Sequence, residues 1–232
     1  MKILMKNKKN VIILSLLIIN SFGLIAQETG EDVLYNAVIR ANSDGVKNAL
    51  ASGADINRQS DNGYTSLMWA CCYSSKPDYA GVAKLLISEG ADVNMSADEG
   101  TTALMEAAGN SREVFDLLMA KGADIKAVKK DGTGVFTKCI FGILMESVPL
   151  ELAEFLVSKG VNINEAASSG DAQGWTPLHF AVSNNHTELV RFLIQNSANV
   201  NAATKDGTTP LSLAEKREYK NIAEILKNAG AK

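Results

Sequence analysis

Gly174-Trp-Thr-Pro-Leu-His-Phe-Ala181 is the stretch whose reading decides the fold. Gly174 suits a tight turn, the Thr176 hydroxyl can cap a helix, and Pro177 stands at a first helical position, where a missing N–H costs nothing. A helix is therefore predicted from Pro177. Leu178, Ala181 and Val182 share one face at i, i+3, i+4, and Asn184-Asn185 ends the run. Thr187 is the predicted cap of a second helix, with Glu188 at its positive N-terminal end and Val190, Leu193 and Ile194 as its buried stripe. That helix stops near Asn196, and after Ala198-Asn-Val-Asn201 the turn Asp206-Gly207 starts the cycle again. Two helices this short cannot bury an apolar face alone, so copies must stack against them.

Two interleaved glycine series supply the copies. Gly63, Gly100, Gly132, Gly174 and Gly207 mark the turns, and Gly53, Gly90, Gly122, Gly160 and Gly230 mark the ends of second helices. The latter open the runs Gly53-Ala-Asp-Ile-Asn57, Gly90-Ala-Asp-Val-Asn94, Gly122-Ala-Asp-Ile-Lys126 and Gly160-Val-Asn-Ile-Asn164. The fifth copy has Ser197 at that place. Thr65 and Thr102 are placed to cap the second and third units, with Met68 and Met105 at the position of His179. The first unit has a stripe of Val33, Leu34, Ala37 and Val38, then a second helix with Val46, Ala49 and Leu50 behind a cap at Ser43 or Asp44. The fourth unit carries Gly134-Val-Phe-Thr137 where Thr, Pro, Leu and His are expected, so its first helix loses its cap. Extra residues fall near Ser74 to Tyr79, near Met145 to Leu150, and in Ala166 to Gln173.

Thr176-Pro177-Leu178-His179-Phe180-Ala181 resembles the T-P-L-H-x-A signature of the ankyrin repeat, and the 33 residues from Gly174 to Gly207 match its period. The resemblance implies an all-α ankyrin-repeat solenoid of about six helix-turn-helix units with short β-hairpin or turn connections. The repeat domain is expected over 29–232, with units near 29–57, 58–94, 95–126, 127–164, 171–201 and 204–232. It also implies a structural hydrogen-bonding role for His179.

Residues 1–26 stand apart. Lys2, Lys6, Lys8 and Lys9 precede the apolar run Val11 to Ile19, and a smaller, more polar stretch ends at Ala26. This is the build of a secretory signal peptide, with cleavage after Ala26 or after Gly23. The apolar run is shorter than the roughly 20 residues a membrane helix needs. Removing the leader takes four Lys from 23 basic residues and leaves 26 acidic ones, a net charge near −7. That balance excludes a nucleic-acid partner, because only Lys126 to Lys130 offers a short basic run. The leader and an Asn- and Lys-rich composition suit an exported bacterial protein.

No catalytic constellation stands out. The histidines, His179 and His186, lack the neighbours of a metal or catalytic site, and paired acids such as Asp98-Glu99 sit at turns. No cofactor is expected. Cys71, Cys72 and Cys139 all fall on first helices. Units two and four are two steps apart, roughly 20 Å at 8 to 10 Å per packed helix, against about 7 Å between disulfide Cα atoms. Cys71 and Cys139 are therefore read as small core residues.

In the resembled family, partners meet the hairpin tips and the open side of the first helices, which form a concave surface. Carried onto this register, the tips are Tyr64, Thr101, Thr133, Trp175 and Thr208. The exposed helix positions are Trp69, Tyr73, Glu106, Asn110, Lys138, Phe141, Phe180 and Asn184. Aromatics there can dominate binding; the competing reading of Trp69 and Phe180 is half-buried packing against the next unit, and for Phe180 packing is the expected one. The expected function is non-enzymatic capture of a protein partner by an exported, periplasmic or secreted monomer, possible roles being to hold or neutralise that partner. The expected protein-binding residues are Tyr64, Trp69, Tyr73, Glu106, Asn110, Lys138, Phe141, Trp175 and Asn184. Two alternatives stand beside it: a small-ligand or enzymatic site lined by Phe136, Cys139, Phe141 and Met145, and a membrane-tethered scaffold if the leader is retained.

Overall fold

The computed structural model describes residues 30–232, so the expected leader and its cleavage sites lie outside the described residues. Twelve helices follow in six pairs: α1 (Gly30–Ile39) and α2 (Ser43–Ala51), α3 (Ser66–Cys72) and α4 (Pro77–Ser88), α5 (Ala103–Ala108) and α6 (Arg112–Ala120), α7 (Val135–Leu144) and α8 (Leu150–Ser158), α9 (Pro177–Ser183) and α10 (Thr187–Gln195), α11 (Pro210–Lys216) and α12 (Lys220–Asn228). Among the described residues there is no strand. Isolated antiparallel bridges join Gln59 to Thr65, Ser96 to Thr102 and Val128 to Gly134 across the hairpins. The first helices α1, α3, α5, α7, α9 and α11 pack in one row, each on the next.

The helix starts show why these short segments hold. Oxygens of Thr65, Thr102 and Thr209 accept the N–H groups of Met68, Met105 and Ser212 at 3.3, 3.3 and 3.2 Å, which satisfies donors that have no partner within the helix. Two expected caps need correction. Asn42, not Ser43 or Asp44, caps α2 by accepting from the Gly45 N–H at 3.0 Å. His186, not Thr187, caps α10, its Nδ1 accepting from the Leu189 N–H at 3.1 Å. In both, the residue just before the cap has positive φ, 52° at Ala41 and 55° at Asn185. That bend brings the next side chain over the open turn and moves the hydroxyl residue into the helix.

Leu34, Ala37, Val38 and Val46 build the first core layer, while Val33 of the expected stripe is exposed. Leu67, Met68, Leu86, Leu104, Met105, Phe115, Phe136, Ile140, Leu152 and Leu156 continue the core as fully buried side chains. Helices α5 and α7 pack closely. A Cβ at Gly142 would stand 2.7 Å from the Gly109 carbonyl oxygen, so only glycine lets these backbones approach. Along the second helices, α8 comes no closer than loosely to α6 or α10, whereas α2, α4 and α6 pack directly in sequence. Phe115 and Phe155 meet edge to face across the α6–α8 gap, centroids 6.1 Å apart.

Successive units are also tied by asparagines that close each helix pair. Asn57, Asn94, Asn164 and Asn201 accept through Oδ1 from the backbone N–H of Asp92, Asp124, Asn199 and Lys232, at 2.8 to 2.9 Å. Lys126 takes the same place in the third unit and cannot accept, so this tie is missing between units three and four.

The lengthened connections make contacts of their own. Tyr79 donates its hydroxyl to the Ile39 carbonyl at 2.7 Å and pins the first insertion to the first unit. In the enlarged hairpin, the Ser168 N–H donates to the Asp131 carbonyl at 2.7 Å, and the Gln173 carbonyl accepts from the Lys205 N–H at 3.4 Å. The fourth unit has no cap of its own, but it is not uncapped. Glu165, from the following connection and 5 % exposed, accepts from the N–H of Gly134 at 2.9 Å, the N–H of Thr137 at 3.0 Å and the Thr137 hydroxyl at 2.6 Å. A Cβ at position 134 would stand 2.7 Å from Glu165 Oε1, so the glycine makes room for the carboxylate.

Candidate protein-binding face

The structure brings the sequence-derived candidates to two groups of rings joined by an ion pair. In the first group, Tyr64 at the hairpin tip and Trp69 on α3 have ring centroids 5.3 Å apart. Tyr73, one turn along α3, lies nearly parallel to Trp69, at 6.3 Å and 8°. Tyr35 of α1 meets Trp69 edge-on at 6.0 Å, and Tyr79 meets Tyr73 at 5.3 Å. Lys76 Nζ stands over the Tyr73 and Tyr79 rings at 6.0 and 5.7 Å. Trp69 Nε1 is the buried side-chain nitrogen without a hydrogen-bond partner among the described residues. Trp69 is thus held by ring packing.

In the second group, Phe141 of α7 packs on Phe180 of α9 at 4.7 Å, and Trp175 packs on Phe180 at 5.1 Å. Phe141 and Met145, one helical turn apart, are 37 % and 44 % exposed. Asn184 is exposed at the end of α9, its amide donating to the Phe180 carbonyl at 2.8 Å.

Between the groups, Lys138 Nζ lies 2.8 Å from Glu106 Oε1, and the Tyr64 hydroxyl donates to that oxygen at 3.2 Å. Asn110, half-buried, donates to the Glu106 carbonyl at 2.8 Å. Glu106 is only 4 % exposed, which corrects its expected place on the open surface. Its carboxylate compensates burial by taking Lys138 and Tyr64 as partners. Thr101 and Thr133, expected at exposed tips, are also buried. Each threonine follows the turn glycine and folds back under the hairpin. Thr208 and Tyr73 are half-buried.

Burial, and next the Glu106 charge, push the Tyr64 phenol up to about 12. Burial does the same to the thiols of Cys72 and Cys139, each to about 12, and raises Cys71 as well. All three cysteines are free, and none carries a thiolate at neutral pH. The alternative quartet is divided, with Phe136 and Cys139 in the core and Phe141 and Met145 on the surface. Among the described residues, no group of three or more His, Cys, Asp or Glu could hold a metal, and no helix is long and apolar enough to cross a membrane.

Sequence reading missed Tyr35, Tyr79 and Glu165. The first unit has no turn glycine, which left Tyr35 without a register. Tyr79 lies in an insertion, and Glu165 acts on a helix that begins 30 residues before it. The acid next to Asn164 in a unit whose neighbour lacks a cap was the one available signal.

Comparison with known proteins agrees with this architecture. The profile described as ankyrin repeats (3 copies) matches residues 34–129 and 144–232. A protein of Escherichia coli (strain K12) named as ankyrin repeat protein YahD is 30% identical over 194 residues, covering 81% of this chain and 90% of that one. Protein phosphatase 1 regulatory subunit 27 of Mus musculus is 28% identical over 119 residues, 51% of this chain and 71% of that protein. The human ASB11 ankyrin repeat domain superposes with a TM-score of 0.67 at 23% identity, covering 86% of this chain and 84% of that domain. With the repeat signature, the stacked pairs and a profile that spans most of the sequence, the chain belongs to the ankyrin repeat family.

Proposed function

We propose that this ankyrin repeat protein is an exported, non-enzymatic binding protein that holds a protein partner along the hairpin tips and first helices. Ankyrin repeats are protein–protein interaction modules, and the fold is typically not catalytic. The observation that carries the reading is the concentration of half-buried and exposed rings on one face, Tyr64, Trp69 and Tyr73 at one end and Phe141 and Trp175 at the other. Rings bury much area with few rotors, so they lose little entropy on binding. Asn110, Lys138 and Asn184 supply the polar part of the contact, and Glu106 orients Lys138 and Tyr64 from below. One relative is by its name a regulatory subunit of a phosphatase, in keeping with a protein that works by holding another.

Export to the periplasm or beyond rests on the basic and apolar leader, and the net negative body argues for protein over nucleic acid. The test is capture from periplasmic extract, with wild type beside Phe141→Ala and Trp175→Ala, and an intact-mass measurement of the exported chain. Capture of a defined partner that weakens by about tenfold or more in the variants, at unchanged fold, is the expected result. Equal retention by all three proteins would remove the aromatic face from the function, and a mass that includes residues 1–26 would replace the exported form with a tethered one.

A further inference from the structure

A cavity of about 210 Å³ opens beside the first ring group, between α1 and the hairpin that leads into α3, with Leu34, Tyr35 and Tyr64 among its walls. Asp55, Asp61 and Arg58 also line it, so among the described residues two carboxylates face one cation. Neither Asp55 nor Asp61 has an ion-pair partner among the described residues. Its volume is below the range of about 300 to 1,000 Å³ common for small-molecule sites, and suits one long side chain. The neighbouring rings already take a cation, since Lys76 rests over Tyr73 and Tyr79.

We propose that this cavity seats a single arginine side chain of the protein partner, so that the N-terminal end of the binding face reads a basic segment. The proposal rests on the partner-binding reading above and gives it a chemistry. A guanidinium is planar and weakly hydrated; it can stack on the phenol rings of Tyr35 and Tyr64 while its edge donates to Asp61. A carboxylate from a partner would meet two like charges, Asp55 and Asp61, against the single cation Arg58, and an aliphatic side chain would leave both acids without a new partner. The wall itself is firm, because Tyr35 and Tyr64 both pack on Trp69, which fills the space behind them.

The test uses N-acetyl-arginine amide as probe on the protein purified from the expressing cell, followed through the Trp69 indole N–H resonance, which Trp175→Phe distinguishes from the other indole. The expected result is a saturable shift at Trp69 and in the amides of 58–64. The uncharged isostere N-acetyl-citrulline amide should bind about fivefold or more weakly, as should the arginine probe to Asp61→Asn or Tyr35→Ala, given one lost charge pair or ring contact. Glu151→Gln, at an exposed position of α8 outside both ring groups, should bind the probe as wild type does. Equal binding of citrulline, no saturable shift, or an unchanged affinity in both Asp61→Asn and Tyr35→Ala proteins that keep the wild-type melting midpoint would overturn the seat. A partner captured from extract that is lost in Phe141→Ala but retained in both Asp61→Asn and Tyr35→Ala would overturn the seat alone and leave the binding face standing.

Discussion

Ser197 is the one second-helix terminus in the glycine series that lacks glycine, and its φ of 67° lies in the left-handed region that the glycines occupy at 73 to 92°. A Cβ is unfavourable there, and the side chain is exposed, so nothing evident is gained by keeping it. Ser197→Gly should stabilise the protein by about 0.5 to 1 kcal/mol in urea unfolding; a lower midpoint would contradict it. His179 argues the opposite case, of a residue that must stay. The Thr208 carbonyl can only accept, so Nε2 carries the proton that reaches it at 3.1 Å. Nδ1 is then bare and accepts from the Thr176 N–H at 3.2 Å and its hydroxyl at 2.9 Å. Burial lowers the His179 pKa, with the Thr208 bond and the Asp206 charge opposing. The unfolded chain therefore binds the proton more readily. Its contribution to stability is complete above the unfolded value of about 6.5 and is lost as pH falls from there through the folded pKa. Between about pH 7.5 and 5.5, the melting midpoint of wild type should fall further than that of His179→Gln, whose amide keeps a donor for Thr208. Parallel curves would show that the ring takes up its proton as readily in the fold as in the unfolded chain.

Helices α7 and α9 show how far an element can be read from its own residues. The start of α9 was legible because every determinant is local: Gly174, Thr176, Pro177 and His179 lie within six residues. The loss of an own cap on α7 was legible for the same reason. Its replacement was not, because Glu165 reaches back from beyond α8 to Gly134 and Thr137. Local logic likewise placed Glu106 on the open side of α5 from its register, but could not show that Lys138 and Tyr64 fold over it. Glu165 supplies charge-assisted bonds at the positive end of a helix, in a nearly dry site. Glu165→Ala would leave the N–H groups of Gly134 and Thr137 without partners. A loss of about 2 to 3 kcal/mol is expected in urea unfolding. A loss below about 0.5 kcal/mol would mean that water or another side chain caps α7 as well as Glu165 does.

Across the whole stack, stability is a sum of units and of the interfaces between neighbours, so one weak interface sets where the solenoid opens. Units three and four are joined strongly in the first-helix row, at Gly109 and Gly142, and weakly in the second. There α8 packs loosely on both neighbours, and Lys126 stands where Asn94 and Asn164 tie their units to the next. Those asparagines also donate through Nδ2 to the carbonyls of Gly122 and Ser197, at 3.1 and 3.5 Å. By the same spacing, an asparagine at position 126 would accept from the Asn162 N–H and reach the Gly160 carbonyl. Amides of Leu150–Ser158 should therefore exchange with solvent faster than those of α4 and α6, although all three helices are interior to the stack. Lys126→Asn should slow that exchange and raise global stability by about 0.5 to 1.5 kcal/mol, one or two net hydrogen bonds. If the substitution stabilises the protein while exchange in α8 stays fast, the opening is set by the spacing of α8 from its neighbours and not by the missing tie. If α8 exchanges no faster than α4 and α6 in the wild type, the first-helix row alone governs the opening of the stack.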